Sequence, residues 1–357
     1  MQLTRKKKTP AVVGLDIEAG SIAATEVRVN GTAQVTASAI APLAPGTFHE
    51  GEVVDADRLT AALKSLFSEH KLAKQVRLGI GNQRVVVRTV RLPAIEDPKE
   101  MAAAVRFQAQ EQIPMPLDQA VLEHQVVGGV PAEEGATPQV DVIVVAARRD
   151  MVSSFLEPIR QAGLHPVGID LSAFAMIRAL AAVEASAANG ERPSSAVLYC
   201  NLGDITNLAV ARGTSCLFTR VSHVGLEAIA AELAASRGLV PEHATQWLSY
   251  VGLERPVEQI EGDPETVAAV RLALEDGVTG LSDELRLSLD YYGAQESALP
   301  VERIVLCGPG SMIAGLPGRM EAGLGFELGV SRPAALSGFD DASAARLTLP
   351  YGLALEH

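Results

Sequence analysis

Aromatic residues are scarce in this chain. Phe, Trp and Tyr make up 4% of its 357 residues, too few to furnish the stacking platforms that hold single-stranded nucleic acid. Basic charge is in deficit as well. Lys and Arg number 30 against 43 Asp and Glu, a formal net charge of −13, which works against binding to phosphate backbones and excludes nucleic acid as an expected partner. Cysteine is nearly missing: Cys200, Cys216 and Cys307 are odd in number and widely spaced, so neither a disulfide framework nor a zinc site is expected. The histidines are scattered and suggest no metal. Long hydrophobic runs are also lacking. The densest, such as Val140–Ala147, have the length of a strand, well short of the ~18 residues a membrane span needs, and no secretory signal is expected. A reducing, cytoplasmic setting fits all of these.

What is present is a globular balance, 48% hydrophobic and 20% charged, in a chain long enough for two domains. Residues 1–11, carrying Arg5-Lys6-Lys7-Lys8, read as a disordered basic tail. Weak attraction to an anionic membrane surface, about 1 kcal/mol per basic residue, is the alternative for that run.

The strongest organising signal is a repeat. Val12–Ile17, Ile22–Val29 and Val35–Ile40 read as three antiparallel strands, the last two joined at Asn30-Gly31, a hairpin marker. Val197–Leu202, Thr206–Ala211 and Cys216–Val221 repeat the pattern, with Arg212-Gly213 at the turn. Each copy ends its first strand on a short polar residue, Asp16 or Asn201, followed by a small turn. Such duplication predicts two related halves facing one another. Between and after the copies, helices are expected over Arg58–His70, Lys99–Gln112, Met151–Ala162, Leu171–Ala188, Leu226–Arg237, Pro241–Tyr250 and Pro264–Ser297. Strands are expected over Val76–Ile80, Val85–Leu92, Val140–Ala147 and Arg303–Leu306, with a loop at Gly128–Pro138 and a hinge at Ala188–Ser195.

Three turns share one chemistry. In Asp16-Ile17-Glu18-Ala19-Gly20-Ser21, backbone N–H groups and the Ser21 hydroxyl can point at phosphate oxygens while Asp16 holds a hydrated Mg²⁺. Asn201-Leu202-Gly203-Asp204-Ile205-Thr206 is the equivalent turn of the second copy. Gly308-Pro309-Gly310-Ser311 leads from a strand toward a helix, where free N–H groups favour an anion. The candidate nucleotide site is therefore Asp16, Gly20, Ser21, Asn201, Gly203, Thr206, Gly308, Gly310 and Ser311, with Asp16 as the metal candidate.

This order of turns resembles the actin-like ATPase superfamily, and within it the PilM family of type IV pilus assembly. The resemblance runs from Val13 to Leu355 and rests on Gly14-Leu15-Asp16-Ile17, Phe107–Pro114, Pro116-Leu117-Asp118, Val144–Arg148, Ala162-Gly163-Leu164, Leu285–Tyr292 and Leu306-Cys307-Gly308. It implies a two-lobed α/β fold, a duplicated ribonuclease-H-like architecture with an inserted small sub-domain. The first lobe would take 12–41 and 148–193, the insert 42–147, and the second lobe 194–355, whose C-terminal segment completes the first lobe. It further implies ATP and Mg²⁺ between the lobes. The implied partner is the cytoplasmic N-terminal tail of a PilN-like inner-membrane protein, held in a groove beside the insert, with the pilus assembly ATPases as further partners. The chain would then sit in the cytoplasm, peripheral at the inner face of the membrane.

The departures from the family pattern fall on the nucleotide site. Glu18 stands where a glycine follows the Asp-Ile pair, and a carboxylate there repels phosphate unless it turns away. Gly20 is the candidate replacement two residues later. Ala23 replaces a lysine, Asn201 an aspartate, and Thr245 the glutamate of an Ala-Glu pair, while Pro309 removes an N–H donor. The expectation is a non-enzymatic scaffold whose ATP binding is weakened or lost and whose hydrolysis is negligible. The competing classes are an active actin-like ATPase or kinase, a polymerising filament protein, and the equivalent component of a type II secretion-like machine.

Overall fold

A computed structural model describes residues 11–130, 137–185, 195–295 and 298–355. The chain opens with β1 (Val12–Ile17), β2 (Ser21–Asn30) and β3 (Thr32–Pro42), an antiparallel meander whose second turn places Gly31 at φ 82°. A two-residue hairpin, β4 (Phe48–His49) and β5 (Glu52–Val53), leads to α1 (Ala56–Glu69). The Asp55 carboxylate caps α1 by accepting from the Arg58 N–H at 3.0 Å. Next, β6 (Gln75–Ile80) returns parallel to β1.

The chain then leaves this sheet for β7 (Val85–Pro93), α2 (Pro98–Gln112), β8 (Ala120–Val130) and β9 (Gln139–Arg148), which form a separate three-stranded sheet in the order β7-β9-β8. One face of that sheet packs on α2 through Val90, Val105, Val142 and Val144. The insert is therefore smaller than 42–147. Residues 42–80 belong to the first lobe, because β6 is bonded between β1 and a later strand and α1 packs Leu59, Leu63 and Leu66 into the β1 core.

After the insert come α3 (Arg149–Gln161), β10 (His165–Leu171) and α4 (Ser172–Ala185), with β10 extending the first sheet to the order β10-β6-β1-β2-β3. The second lobe repeats the plan. Its strands are β11 (Ala196–Leu202), β12 (Thr206–Arg212) and β13 (Ser215–Ser222), then α5 (Leu226–Arg237), α6 (Pro241–Val251), α7 (Pro264–Gly293), β14 (Val301–Cys307), α8 (Leu316–Leu324) and β15 (Glu327–Val330). The order β15-β14-β11-β12-β13 matches the first sheet strand for strand.

The last helix, α9 (Asp341–Ala354), crosses back to the first lobe and lies on β1 beside α4. The contact is close. A Cβ on Gly14 would come 1.9 Å from the Pro350 carbonyl oxygen, and one on Gly352 would come 2.0 Å from that of Ala175. α4 and α9 thus lie between the two sheets, where Met176, Ile177, Leu180 and Leu347 share a core with Tyr199 and Ala209. The other face of the second sheet is covered by α5, α6 and α7, through Leu233, Leu248 and Leu274.

Besides the short β4–β5 hairpin, four elements differ from the sequence expectation. β8 runs through Val130, where a loop was expected from Gly128, and its mixed Glu-His-Gln pattern hides a strand with one solvated face. β10 carries Pro166 and Gly168, residues that argue against a strand. β15 is four residues long, and α9 lacks a clear apolar period because it is buried on nearly all sides. The basic tail over residues 1–10 and most of the expected hinge at Ala188–Ser195 lie outside the described residues.

Candidate functional site

β1 and β11 are the central strands of their sheets, and each delivers a turn into the cleft between the lobes. In the first turn the Glu18 N–H donates to the Ser21 carbonyl at 2.9 Å, closing a four-residue reversal with Ala19 and Gly20 at its tip. The second turn spans Gly203–Ile205, and its Gly203 carbonyl accepts from the Leu226 N–H at 2.9 Å, which fixes the start of α5. Asp16 and Asn201 occupy corresponding positions, one residue before the end of their strands.

A residue that sequence reasoning missed governs the first turn. Arg346 on α9 is 7% exposed and meets Asp16, 5% exposed, with Nη1 at 2.5 Å from Oδ2. Its Nε donates to the Ser21 hydroxyl at 2.8 Å, and its Nη2 donates to the carbonyls of Ser21 at 3.0 Å and Asp16 at 3.3 Å. Glu18 Oε2 lies 3.2 Å from the same Nε. The one local signal is that Arg346 is the only basic residue in an otherwise small and apolar stretch, which marks it as unusual without placing it at the first turn.

The charges here do not balance. One guanidinium faces three carboxyl groups, the buried Asp16 and the partly buried Glu18 and Asp204, and withdrawal from water raises the pKa of the last two. Burial raises Glu18 from 4.5 to about 8, opposed by Arg346 and assisted by Asp204 and Asp16. Burial also raises Asp204, with Glu227 adding to the effect and Arg346 and the N–H groups of Gly20 and Ala19 opposing it. For Arg346, burial works against the charged form, but Glu18 and Asp16 outweigh it and hold its pKa above the ordinary value.

Glu18 does not turn outward. It points at the second lobe, so close that a Cβ on Gly203 would lie 2.2 Å from Glu18 Oε1. Gly20 is exposed, and a Cβ there would touch nothing. No feature of the turn requires glycine at that position. The Gly20 N–H donates to Asp204 Oδ2 at 3.3 Å, directly across the cleft. Further out, His49 Nδ1 lies 2.6 Å from Glu227 Oε1, and the Glu50 N–H donates to Glu227 Oε2 at 3.2 Å. The bond to Glu227 raises the His49 pKa.

The remaining predicted residues divide between the cleft and internal structure. Thr206 is fully buried, and its hydroxyl donates to the Val224 carbonyl at 2.6 Å. The Ser311 hydroxyl donates to the Gly308 carbonyl at 2.6 Å. Gly308 sits at φ 82°, where a Cβ would meet Asn201 Oδ1 at 2.4 Å, and Gly310 lies against Leu202. The structure therefore brings Asp16, Ser21, Gly20 and Gly203 to one corner, with Asn201, Gly308 and Gly310 beside it. Ala23 is buried in the core between the sheets.

Mg·ATP does not fit this corner as it is arranged. The hollow between the turns, lined by Asp16, Glu18, Asp204, Asn207 and Glu227, amounts to about 20 Å³, room for one water, whereas small-molecule sites run to several hundred Å³. Asn207 Oδ1 is the buried acceptor such a water would satisfy, having no partner among the described residues. Asp16 is committed to Arg346, and no group of three His, Cys, Asp or Glu among the described residues could hold a metal.

Beyond a hollow of about 450 Å³ at the start of β7, lined by Asn82, Asn207, Arg220 and His223, two larger hollows flank the insert. One, about 470 Å³, runs between the first lobe, the β12–β13 turn and the edge of β8 that has no strand partner among the described residues, lined by Val29, Val126, Phe174, Ile177, Thr214 and Ser215. The other, about 730 Å³, lies between β7 and β13 and presents Arg88, Arg91 and Asp141. No described helix is long and apolar enough to cross a membrane.

Comparison with solved structures gives the same architecture. The chain is 28% identical to a component of a structure described as the PilM-PilN type IV pilus biogenesis complex, covering 96% of this chain and 97% of that one at a TM-score of 0.79. The ethanolamine utilization protein EutJ from Carboxydothermus hydrogenoformans superposes at a TM-score of 0.53 with 15% identity, over 97% and 90% of the two chains. MreB 5 of Spiroplasma citri, bound to AMPPNP, superposes at 0.54 with 13% identity, over 97% and 95%. These last two show the two-lobed actin-like fold. The family described as Type IV pilus assembly protein PilM matches residues 14–350, and the chain belongs to that family.

Proposed function

We propose that this protein is a non-enzymatic scaffold of type IV pilus assembly that grips an extended segment of a PilN-like membrane protein in the groove beside β8. The observation that carries this reading is the outer edge of β8. Among the described residues β8 has no strand partner on its outer side, it lines a partly apolar channel, and its Val126 is 48% exposed. An extended peptide can add to such an edge through backbone bonds while alternate side chains enter the channel. The resemblance to a component of a PilM-PilN complex supports the choice of partner. In this reading the partner brings the chain to the membrane, ATP binding is weakened or lost, and hydrolysis is negligible. The competing hollow between β7 and β13 is more polar and has an ion pair, Arg91 with Asp141, across its wall.

The test is fluorescence anisotropy with a labelled peptide of the partner's cytoplasmic N-terminal tail. The full chain is expected to bind it, and Val126→Asp to weaken binding at least tenfold. A wild-type chain that does not bind the tail would overturn the reading.

A further inference from the structure

Backbone N–H groups at a turn bind phosphate oxygens, and a carboxyl oxygen is an equally good acceptor for them. In this cleft such acceptors are already in place, supplied by the opposite turn. Asp204 of the second turn accepts from the Gly20 N–H at 3.3 Å and lies against the Ala19 N–H as well. In exchange, Glu18 of the first turn reaches across to Gly203, where a Cβ would lie 2.2 Å from its Oε1 and push the carboxyl aside, and to the Asp204 N–H. Arg346 lies behind Glu18 and bonds Asp16 and Ser21, the residues that sequence reasoning assigned to Mg²⁺ and phosphate.

We propose that the two turns ligate each other: Asp204 and Glu18 stand where phosphate oxygens would, and Arg346 stands where the cation would. The proposal rests on the reading above of this cleft as the weakened nucleotide site of the fold, and it names what occupies it. Two features distinguish such self-ligation from simple erosion of a site. The carboxyl groups exchange reciprocally between corresponding turns of the two lobes, and the cation is delivered from a third element, α9. Erosion would leave unsatisfied N–H groups and an open hollow. Here the hollow holds about 20 Å³. A nucleotide would have to displace Asp204 from Gly20 and Glu18 from Gly203 before its phosphates could reach either turn, and closure of the lobes needs no nucleotide.

The test uses the full chain. Calorimetric titration with Mg·ATP is run on the wild type, Asp204→Ala, Glu18→Gly and the double variant, with circular dichroism to establish that each is folded. In parallel, energy transfer is measured between dyes placed at exposed positions, Asp57→Cys in the first lobe and Glu242→Cys in the second. The native cysteines are buried and would not compete for label. The double variant is expected to bind Mg·ATP at least tenfold more tightly than the wild type, and Asp204→Ala, which removes little packing, to increase the separation of the lobes. Tighter binding by the folded double variant supports self-ligation, and a wider separation in Asp204→Ala shows that the same contact also holds the lobes together. A folded double variant that binds no more tightly than the wild type would overturn it, whatever the separation. Capture of the partner's tail by the same wild-type sample is scored separately, so its failure would count against the scaffold reading alone.

Discussion

The two turns at the centre of this protein have the same place in matching sheets, yet they are built from opposite materials. The first carries the bulk and charge, with Asp16, Glu18 and the guanidinium of Arg346 packed within one corner. The second offers space, because Gly203 has no side chain where Glu18 arrives, and it returns a single carboxyl of its own, Asp204. Duplicated topology has not preserved duplicated chemistry. Strand order depends on the hydrophobic pattern and hydrogen-bond register of whole strands, which many sequences satisfy, whereas a turn is reshaped by one or two substitutions.

Four predictions break or sharpen that contrast. The largest effect is expected from Arg346→Met, which removes the first turn's cation and leaves the Asp16 carboxyl buried without it. Urea denaturation should show a loss of about 3–5 kcal/mol, the range for breaking a buried ion pair by deleting one partner. Gly203→Ala, which fills the space of the second turn, should cost about 1–3 kcal/mol as an overpacking change. Glu18→Gly in the same chain should recover most of that, so the double-mutant cycle should report strong coupling. Additive effects would mean that the two residues do not meet.

The third concerns pH. Glu18 holds its proton to about 8 when folded, against an ordinary 4.5. Its contribution favours the folded state fully below 4.5 and disappears as pH rises through 8. Glu18→Gln should therefore make stability fall less steeply between pH 5 and 8, as read by thermal melts across that range. The smallest effect is expected at Gly20, the first turn's own glycine. Its Cβ space is open and its φ is not positive, so Gly20→Ala should shift stability by under about 0.5 kcal/mol. Two glycines in corresponding turns would then differ severalfold in tolerance.

The contrast also marks what the sequence could disclose. Both hairpin copies were legible because their strands are apolar runs with turn signals at Asn30-Gly31 and Arg212-Gly213. The two-lobed architecture followed from that repeat and from the resemblance of long segments such as Leu285–Tyr292. The extent of the insert was not legible. Whether β6 joins β1 or β7 is decided by a parallel pairing far along the chain, and nothing local to Gln75–Ile80 records it. Asp16, Ser21 and Gly203 could be singled out from turn chemistry, since each lies beside its strand end. Arg346 could not be placed there because it lies 330 residues from Asp16. Glu18 was visible as a misfit, but the direction of its side chain depends on Gly203 in the other lobe.

The return of α9 to β1 has a consequence for synthesis. A ribosome adding about 5–20 residues each second makes Asp16 long before Arg346, 330 residues later. The delay is roughly 15 s to a minute. Throughout it the first lobe has its central strand but lacks one of the helices that cover it, and Gly14 faces no Pro350. The second lobe strings its sheet and outer helices from consecutive elements, β11 to β15, and only its inner sheet face, around Tyr199 and Ala209, waits for the same helix. The lobe that begins the chain is thus the one that finishes last, and its uncovered β1 face is a natural site for a chaperone to occupy until the final helix emerges.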